Sequence, residues 1–515
     1  MRKIKIIILA LIFLLPFTAI SQVNHIIINA DQELSTISRH IYGHFAEHLG
    51  TGIYGGVWVG EDSEIPNTEG FRTDVLEALK QLEVPNIRWP GGCFADEYYW
   101  RDGIGPREQR PARLNTHWGM VIEDNSFGTD EFLRFTEILG AEPVVAMNVG
   151  SGTPREMQQW IEYMNYAGDS EMSRLRKENG REEPWGVKYI GIGNESWGCG
   201  GNMRPEFYAD LYRQFATYVR NYSGNQMFRI ASGFDTDKYW WTDTVMERAA
   251  NMMEGISLHY YTVAGESWQR KGSSVDFDEE HYFSGVKRSM RLDDFIIGHV
   301  EKMDLYDPQK RVILAVDEWG IWTDPLPGTN PGFLQQQNSL RDALIASISL
   351  DIMNKHSDRV KMANIAQMVN VLQAVIITDG DRMVKTPTYH VFDMYRAHFD
   401  TKLLHTEATI NNYEYNDESI PAISYTASKS DNGRINITLT NKDAVQSQEV
   451  EIEVKGHDLG TVSTGKLLTS DKVNSINTFE DPDRVTLVDF DQYVLNGNRL
   501  AITLPAKSIV VITVE

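Results

Sequence analysis

Between about residue 42 and residue 378, short apolar runs alternate with longer stretches whose apolar positions recur at helical spacing. The apolar runs fall at residues 41–47, 86–89, 143–149, 187–194, 228–232, 255–259, 312–318 and within 362–373. The helix-like stretches fall at 73–82, 129–139, 155–166, 205–222, 242–253, 293–303 and 340–355. Continuous apolar runs followed by amphipathic helices are the pattern of βα units around a buried parallel sheet. Eight such units are the number that closes a (β/α)8 TIM barrel. After about residue 390 the period changes to two. In Arg434-Ile435-Asn436-Ile437-Thr438-Leu439-Thr440 the apolar residues share one face of a strand, and the preceding Asp431-Asn432-Gly433 is a hairpin signal. Val450 to Val454 and Leu500 to Leu504 repeat the alternation. The expected architecture is therefore α/β, with a barrel over residues 40–390 and a C-terminal antiparallel β-sandwich, jelly-roll-like, over 391–515. A strand within 22–39, around His25-Ile26-Ile27-Ile28-Asn29, is expected to pair with that sandwich.

Composition narrows the partners. The chain has 515 residues, 42% of them hydrophobic and 10% aromatic, enough for a large packed core. Its formal net charge of −23 works against nucleic acid and anionic membrane surfaces and leaves neutral ligands such as sugars. Met1-Arg2-Lys3-Ile4-Lys5, the apolar run from Ile6 to Leu15 and the small residues Ala19 and Ser21 read as a signal peptide over residues 1–21. That reading predicts export to the periplasm or the medium. The run is short for a membrane span, and no later segment is apolar enough for one. Cys93 and Cys199 are the only cysteines, too few for a disulfide framework or a Cys-rich metal site. The 13 histidines show no metal-ligand spacing, so neither metal nor other cofactor is expected.

Two of the apolar runs end in a glutamate followed closely by Trp-Gly. One is Gly193-Asn194-Glu195-Ser196-Trp197-Gly198 and the other is Val316-Asp317-Glu318-Trp319-Gly320. Each reads as a buried strand that carries a carboxylate to its C-terminal end, the face of a barrel on which chemistry occurs. Strands four and seven lie on roughly opposite sides of a barrel mouth. Two carboxylates facing each other there suit glycoside hydrolysis, one protonating the leaving oxygen while the other attacks the sugar or activates water. Indole rings beside them suit stacking on sugar C–H faces.

These segments resemble glycoside hydrolase family 51, whose members are mainly α-L-arabinofuranosidases of a retaining clan with (β/α)8 barrels. Asn194 to Gly201 is similar to the family's acid/base motif, and Asp317-Glu318-Trp319 to its nucleophile motif. Arg88-Trp89-Pro90-Gly91-Gly92, Tyr98 to Pro106, Gly43 to His48 and Ile256 to Tyr261 extend the resemblance over nearly the whole chain. It implies that Glu195 is the general acid/base and Glu318 the nucleophile. It implies sugar contacts from Glu47, Arg88, Asn194 and Gln373, with His259 nearby, Tyr261 orienting the nucleophile and Trp322 as a stacking wall. Cys93 takes a position at which many relatives place a sugar-binding Asn, and a thiol is the weaker hydrogen-bond partner. Cys93 and Cys199 should then share one barrel mouth, either as a disulfide bracing the subsite or as two free thiols. The resemblance also implies an arabinose-decorated plant polysaccharide or oligosaccharide as substrate, and often a homo-oligomer. The same machinery on β-xylosides or β-1,4-glucans remains open, as does a non-catalytic sugar-binding protein. Trp58, Trp118, Trp268 and Trp322 are the expected walls of the cleft.

Overall fold

A computed structural model describes residues 23–515. The basic and apolar N-terminal run from which a leader segment is expected lies outside them.

The chain begins with β1 (Asn24–Thr36) and then enters the barrel. Its strands are β2 (Gly43–Phe45), β3 (Asn86–Trp89), β4 (Glu142–Met147), β5 (Tyr189–Ile192), β6 (Phe228–Ala231), β7 (Gly255–Thr262), β8 (Ile313–Ile321) and β9 (Val360–Ala366). They close in chain order, every neighbour parallel, with β9 pairing back onto β2. Each expected apolar run overlaps one of these strands. Val144, Tyr189, Ile230, Ala315 and Met362 form a buried layer contributed by five of them, so the barrel interior is packed.

The differences are local and have physical causes. The fourth run ends two residues early because Gly193, at φ 86°, turns the chain into a conformation that an L side chain resists. β8 runs three residues past Glu318, so the second Trp-Gly pair lies inside a strand rather than in a turn. The eighth strand stops at Ala366, and left-handed residues at Asn370 and Leu372 fold the remainder into a loop at the barrel mouth. The helix expected over 205–222 stops at Thr217. Helices Glu171–Glu178, Glu279–Ser289 and Pro387–Tyr395 add to the expected set, and the last crosses the expected boundary at residue 390.

Besides a small hairpin (Asn412–Tyr415 with Glu418–Pro421), the C-terminal region supplies nine strands to a second sheet: β10 (Lys402–Thr409), β11 (Ile423–Lys429), β12 (Ile435–Asn441), β13 (Gln448–Lys455), β14 (Val462–Leu468), β15 (Val488–Asp489), β16 (Tyr493–Asn496), β17 (Arg499–Leu504) and β18 (Ser508–Val514). With β1 they form one continuous ten-stranded hydrogen-bonded sheet in the order β15-β14-β18-β12-β11-β10-β1-β13-β17-β16. All its pairs are antiparallel except β1 with β13. β1 therefore inserts the start of the described chain between two strands from its far end. Every residue of β12 and β18 is buried, which requires cover on both faces. Helix Leu340–Lys355 supplies one cover. Its buried Asp351 accepts hydrogen bonds from Ser424, Thr426 and Tyr395, tying the barrel to the sheet. Among the described residues, no helix is long and apolar enough to cross a membrane.

Candidate active site

The C-terminal ends of β2, β3, β5, β7 and β8 converge on one group of charged side chains. Parallel pairing sets His259 of β7 opposite Glu318 of β8, with an irregularity just before it between Ser257 and His259. His259 and Tyr261, two residues apart, share the inward face. Glu195 follows β5 in a left-handed conformation, φ 38°, a sparsely populated state for a residue with a side chain.

Glu318 is buried and held at both oxygens. Arg88 Nη1 donates to Oε1 at 2.8 Å, and the Tyr261 hydroxyl donates to Oε2 at 2.9 Å. Arg88 also donates through Nη2 to Asn194 Oδ1 at 2.6 Å, approaches Asp317 at 3.5 Å and lies over the Phe45 ring at 4.6 Å. Burial pushes the Asp317 carboxyl up, but Arg88 and His259 outweigh it and hold the group below the usual carboxylate range. His259 sits between the acids, 2.9 Å from Glu195 Oε1 and 3.2 Å from Asp317 Oδ1. Burial alone would drive off its proton. The charge of Glu318 and the contacts with Asp317 and Glu195 reverse this and raise it well above the ordinary histidine value.

Glu195 behaves in the opposite sense to Asp317. Burial, with Glu318's charge behind it, raises its carboxyl against the pull of His259. About 19% of its side chain still faces the open pocket. One oxygen of Glu195, one nitrogen of His259 and one oxygen of Glu318 all lie within 4.8 Å of one another.

A second layer fixes this group. Asp96 accepts the backbone amides of Val149, Gly150 and Asn194 at 2.8, 2.7 and 3.0 Å, pinning the end of β5 to the neighbouring loops. Burial pushes its carboxyl up to about 7 against those three bonds. Cys93 and Cys199 form a disulfide with S–S 2.07 Å and Cα–Cα 5.5 Å. Cys199 Sγ lies 3.6 Å from Glu195 Oε2, and a disulfide sulfur has no proton to give, so any hydrogen between them belongs to the carboxyl. The bridge closes a loop of 106 residues. Replacing both cysteines by serine should therefore lower the unfolding free energy by about 2–4 kcal/mol, read from denaturant melts of oxidised protein.

These groups open onto a pocket of about 390 Å³. Glu47, Cys93, Glu195, His259, Tyr261, Glu318 and Trp322 line it. Glu47 accepts from Trp118 Nε1 at 2.9 Å, from the Phe94 amide at 3.2 Å and from Gln367 Nε2 at 3.0 Å. Burial and the charge of Glu318 push it up to about 7. A Cβ at Gly92 would stand 2.8 Å from Glu47 Oε1, so a larger residue there would have to displace the Glu47 carboxyl from its three partners.

Three of the expected contacts sit elsewhere. Arg88 is buried behind Glu318 and Asn194 and does not line the pocket. Asn194 is also buried, its amide oxygen taken by Arg88, while its Nδ2 has only Cys199 Sγ, 3.9 Å away. Gln373 is turned away altogether. Its Oε1 accepts from the Ile321 amide at 2.8 Å, and its Nε2 donates to Asp342 O and Thr388 Oγ1. Gln367, six residues earlier, reaches the pocket instead. Of the four expected walls, Trp118, Trp268 and Trp322 line the pocket, and Trp268 and Trp322 pack edge to face at 5.0 Å. Trp58 is buried in the core against Phe71 and Phe127 and does not line the pocket. Trp319 is also a core residue, packed toward Phe392, whereas Trp197 does reach the pocket. Asp96, Asp317 and Gln367 were not among the expected site residues. Asp317, adjacent to Glu318 in sequence, carried the nearest signal.

A barrel mouth with one carboxyl raised toward its protonated form, and a second held by an arginine and a tyrosine across a sugar-sized pocket, is the site of a glycoside hydrolase. Family models for the alpha-L-arabinofuranosidase 1 domain and the alpha-L-arabinofuranosidase C-terminal domain match residues 78–279 and 317–508. An "Intracellular exo-alpha-L-arabinofuranosidase" from Bacteroides ovatus is 51% identical over 95% of each chain. "Alpha-L-arabinofuranosidase C" of Emericella nidulans is 32% identical over 80% of this chain and 84% of its own. Among solved structures, the arabinofuranosidase of glycoside hydrolase family 51 from Xanthomonas axonopodis pv. citri superposes with a TM-score of 0.94 at 50% identity, covering 96% of this chain and 100% of that one. An arabinose complex of the Thermotoga maritima α-L-arabinofuranosidase superposes with a TM-score of 0.84 at 33% identity, with the same coverage. The chain belongs to glycoside hydrolase family 51 and is an α-L-arabinofuranosidase. The same comparison corrects one expectation. The Bacteroides ovatus relative is named an intracellular enzyme, which overturns the reading of this chain as exported to the periplasm or the medium.

Proposed function

We propose that the chain is a retaining, exo-acting α-L-arabinofuranosidase that removes terminal L-arabinose from arabinoxylan or arabinan side chains by double displacement. Glu318 attacks the anomeric carbon as Glu195 gives its proton to the leaving oxygen, and the bond from that carbon to the oxygen breaks. The arabinosyl group is then held on Glu318 as an ester. Glu195, now a carboxylate, takes a proton from water, whose oxygen attacks the same carbon and frees Glu318. His259, cationic between the acids, offsets their charge in both steps. Asn194 steadies Arg88 behind Glu318, and Glu47, with Trp118 and Gln367, holds the hydroxyls of the terminal ring. Arg88 and Tyr261 orient Glu318.

The observation that carries this reading is the close approach of the two acids, with one oxygen of Glu195 within 4.8 Å of one oxygen of Glu318, nearer than the separation that leaves room for an attacking water. Retaining enzymes hold their carboxyls about 5–5.5 Å apart, whereas inverting ones leave about 6.5–9.5 Å for a water. The test is the anomer first released from an aryl α-L-arabinofuranoside in the presence of methanol, followed by NMR before mutarotation. Retention is expected, and methyl glycoside of inverted configuration would overturn the assignment.

A further inference from the structure

The pocket has a second aromatic feature on the side of Glu195, distinct from the Trp268–Trp322 wall. Trp197 lies two residues beyond Glu195 and lines the pocket, with its indole fixed by a 3.1 Å bond from Nε1 to Gly233 O. Phe234, in the loop after β6, stacks on it with ring centroids 4.1 Å apart and planes at 22°. Trp240 follows at 5.5 Å from Phe234 and is 49% exposed. It stands at the first turn of helix Tyr239–Ala249, which starts on the same face of the barrel. Its neighbour Trp241 is fully buried, with Nε1 donating to Ser232 O at 2.9 Å, so the helix end that carries Trp240 is anchored. Three aromatic rings thus lead from the proton donor outward to solvent.

Direction gives this row a meaning. The leaving oxygen must sit against Glu195, so the leaving group departs over the residues that follow Glu195. Aromatic faces carry negative charge at the ring face and attract the weakly positive C–H face of a sugar ring. A half-exposed tryptophan on a soluble protein is ordinary by itself. One held on an anchored helix end, at the far end of a row that begins beside the acid, is placed for a ligand longer than one ring.

We propose that Phe234 and Trp240 form a distal subsite for the leaving-group chain, taking a sugar residue beyond the one bonded to the departing arabinose. The proposal rests on the assignment of Glu195 as the proton donor. The enzyme then favours arabinose carried on a saccharide chain over arabinose carried on a short aglycone.

The test compares kcat/KM for an arabinofuranosyl tetrasaccharide and disaccharide, each relative to nitrophenyl α-L-arabinofuranoside, in the wild-type enzyme, Trp240→Ala and Trp240→Phe. The wild type should gain about tenfold from disaccharide to tetrasaccharide, mostly through KM, on the scale of one aromatic contact. Trp240→Ala should lose most of that gain, and Trp240→Phe should restore part of it. A gain that Trp240→Ala leaves intact, or a wild type indifferent to chain length, would overturn the subsite. Failure of the underlying assignment shows separately, as disaccharide turnover that survives Glu195→Ala at the wild-type rate.

Discussion

Replacing Glu318 by glutamine is expected to lower kcat by on the order of 10⁴–10⁶, the scale seen when a covalent nucleophile is removed. The amide keeps the size and shape of the side chain. It cannot attack the anomeric carbon, and it gives Arg88 a neutral partner at the 2.8 Å contact. Asp317 remains beside the guanidinium at 3.5 Å, so the buried cation is not stranded and the fold should hold. Stopped assays with nitrophenyl α-L-arabinofuranoside, alongside a thermal melt matching the wild type, check this. A folded Glu318→Gln enzyme with more than about one hundredth of wild-type kcat would not fit the nucleophile assignment, given that expected scale.

Glu195→Ala is the second large effect, and it should depend on the leaving group. An alkoxide cannot depart without a proton, so kcat/KM on an arabino-oligosaccharide should fall by about 10²–10⁴. A dinitrophenolate leaves without help, so formation of the arabinosyl-enzyme from the dinitrophenyl glycoside should be nearly spared. Azide, which attacks without needing a base, should then speed turnover and give a product of retained configuration. The pH profile carries the same information. Burial and the Glu318 charge raise the Glu195 carboxyl. Its acid form, the one that acts first, is present below that raised value and is lost as pH rises through it. The wild-type kcat/KM on oligosaccharide should therefore fall along an alkaline limb, and Glu195→Ala should lack that limb.

The eight barrel strands could be read from the chain because strands buried on both faces leave unbroken apolar runs, and Glu195 and Glu318 stand where two of those runs end. Face and reach were harder. Glu318 and Trp319 are consecutive in one strand, so if the acid points into the barrel the indole must point out, and Trp319 indeed packs toward Phe392. The shared Trp-Gly pair conceals that difference, because the first follows the end of β5 and the second lies within β8. The late glutamine was misplaced for a related reason. The eighth strand stops at Ala366, so Gln367 is the residue delivered to the mouth. Left-handed Asn370 and Leu372 then carry Gln373 behind β8, where it holds the Ile321 amide. Arg88 was legible as a site residue but not as one behind the wall, since its position depends on three partners brought together from β5 and β8. The Cys93–Cys199 pair, 106 residues apart, depends on the meeting of the loops after β3 and β5, which no local pattern encodes.

The most direct test of the account is the identity of the residue that carries the sugar between the two steps. Glu195→Ala enzyme mixed with dinitrophenyl α-L-arabinofuranoside should accumulate an arabinosyl ester, because its formation needs no acid and its hydrolysis lacks the base. Rapid quench, proteolysis and mass spectrometry should find one pentosyl adduct, on the peptide containing Glu318 and at that residue. An adduct on any other side chain, or steady turnover with no adduct while the released sugar is inverted, would contradict it.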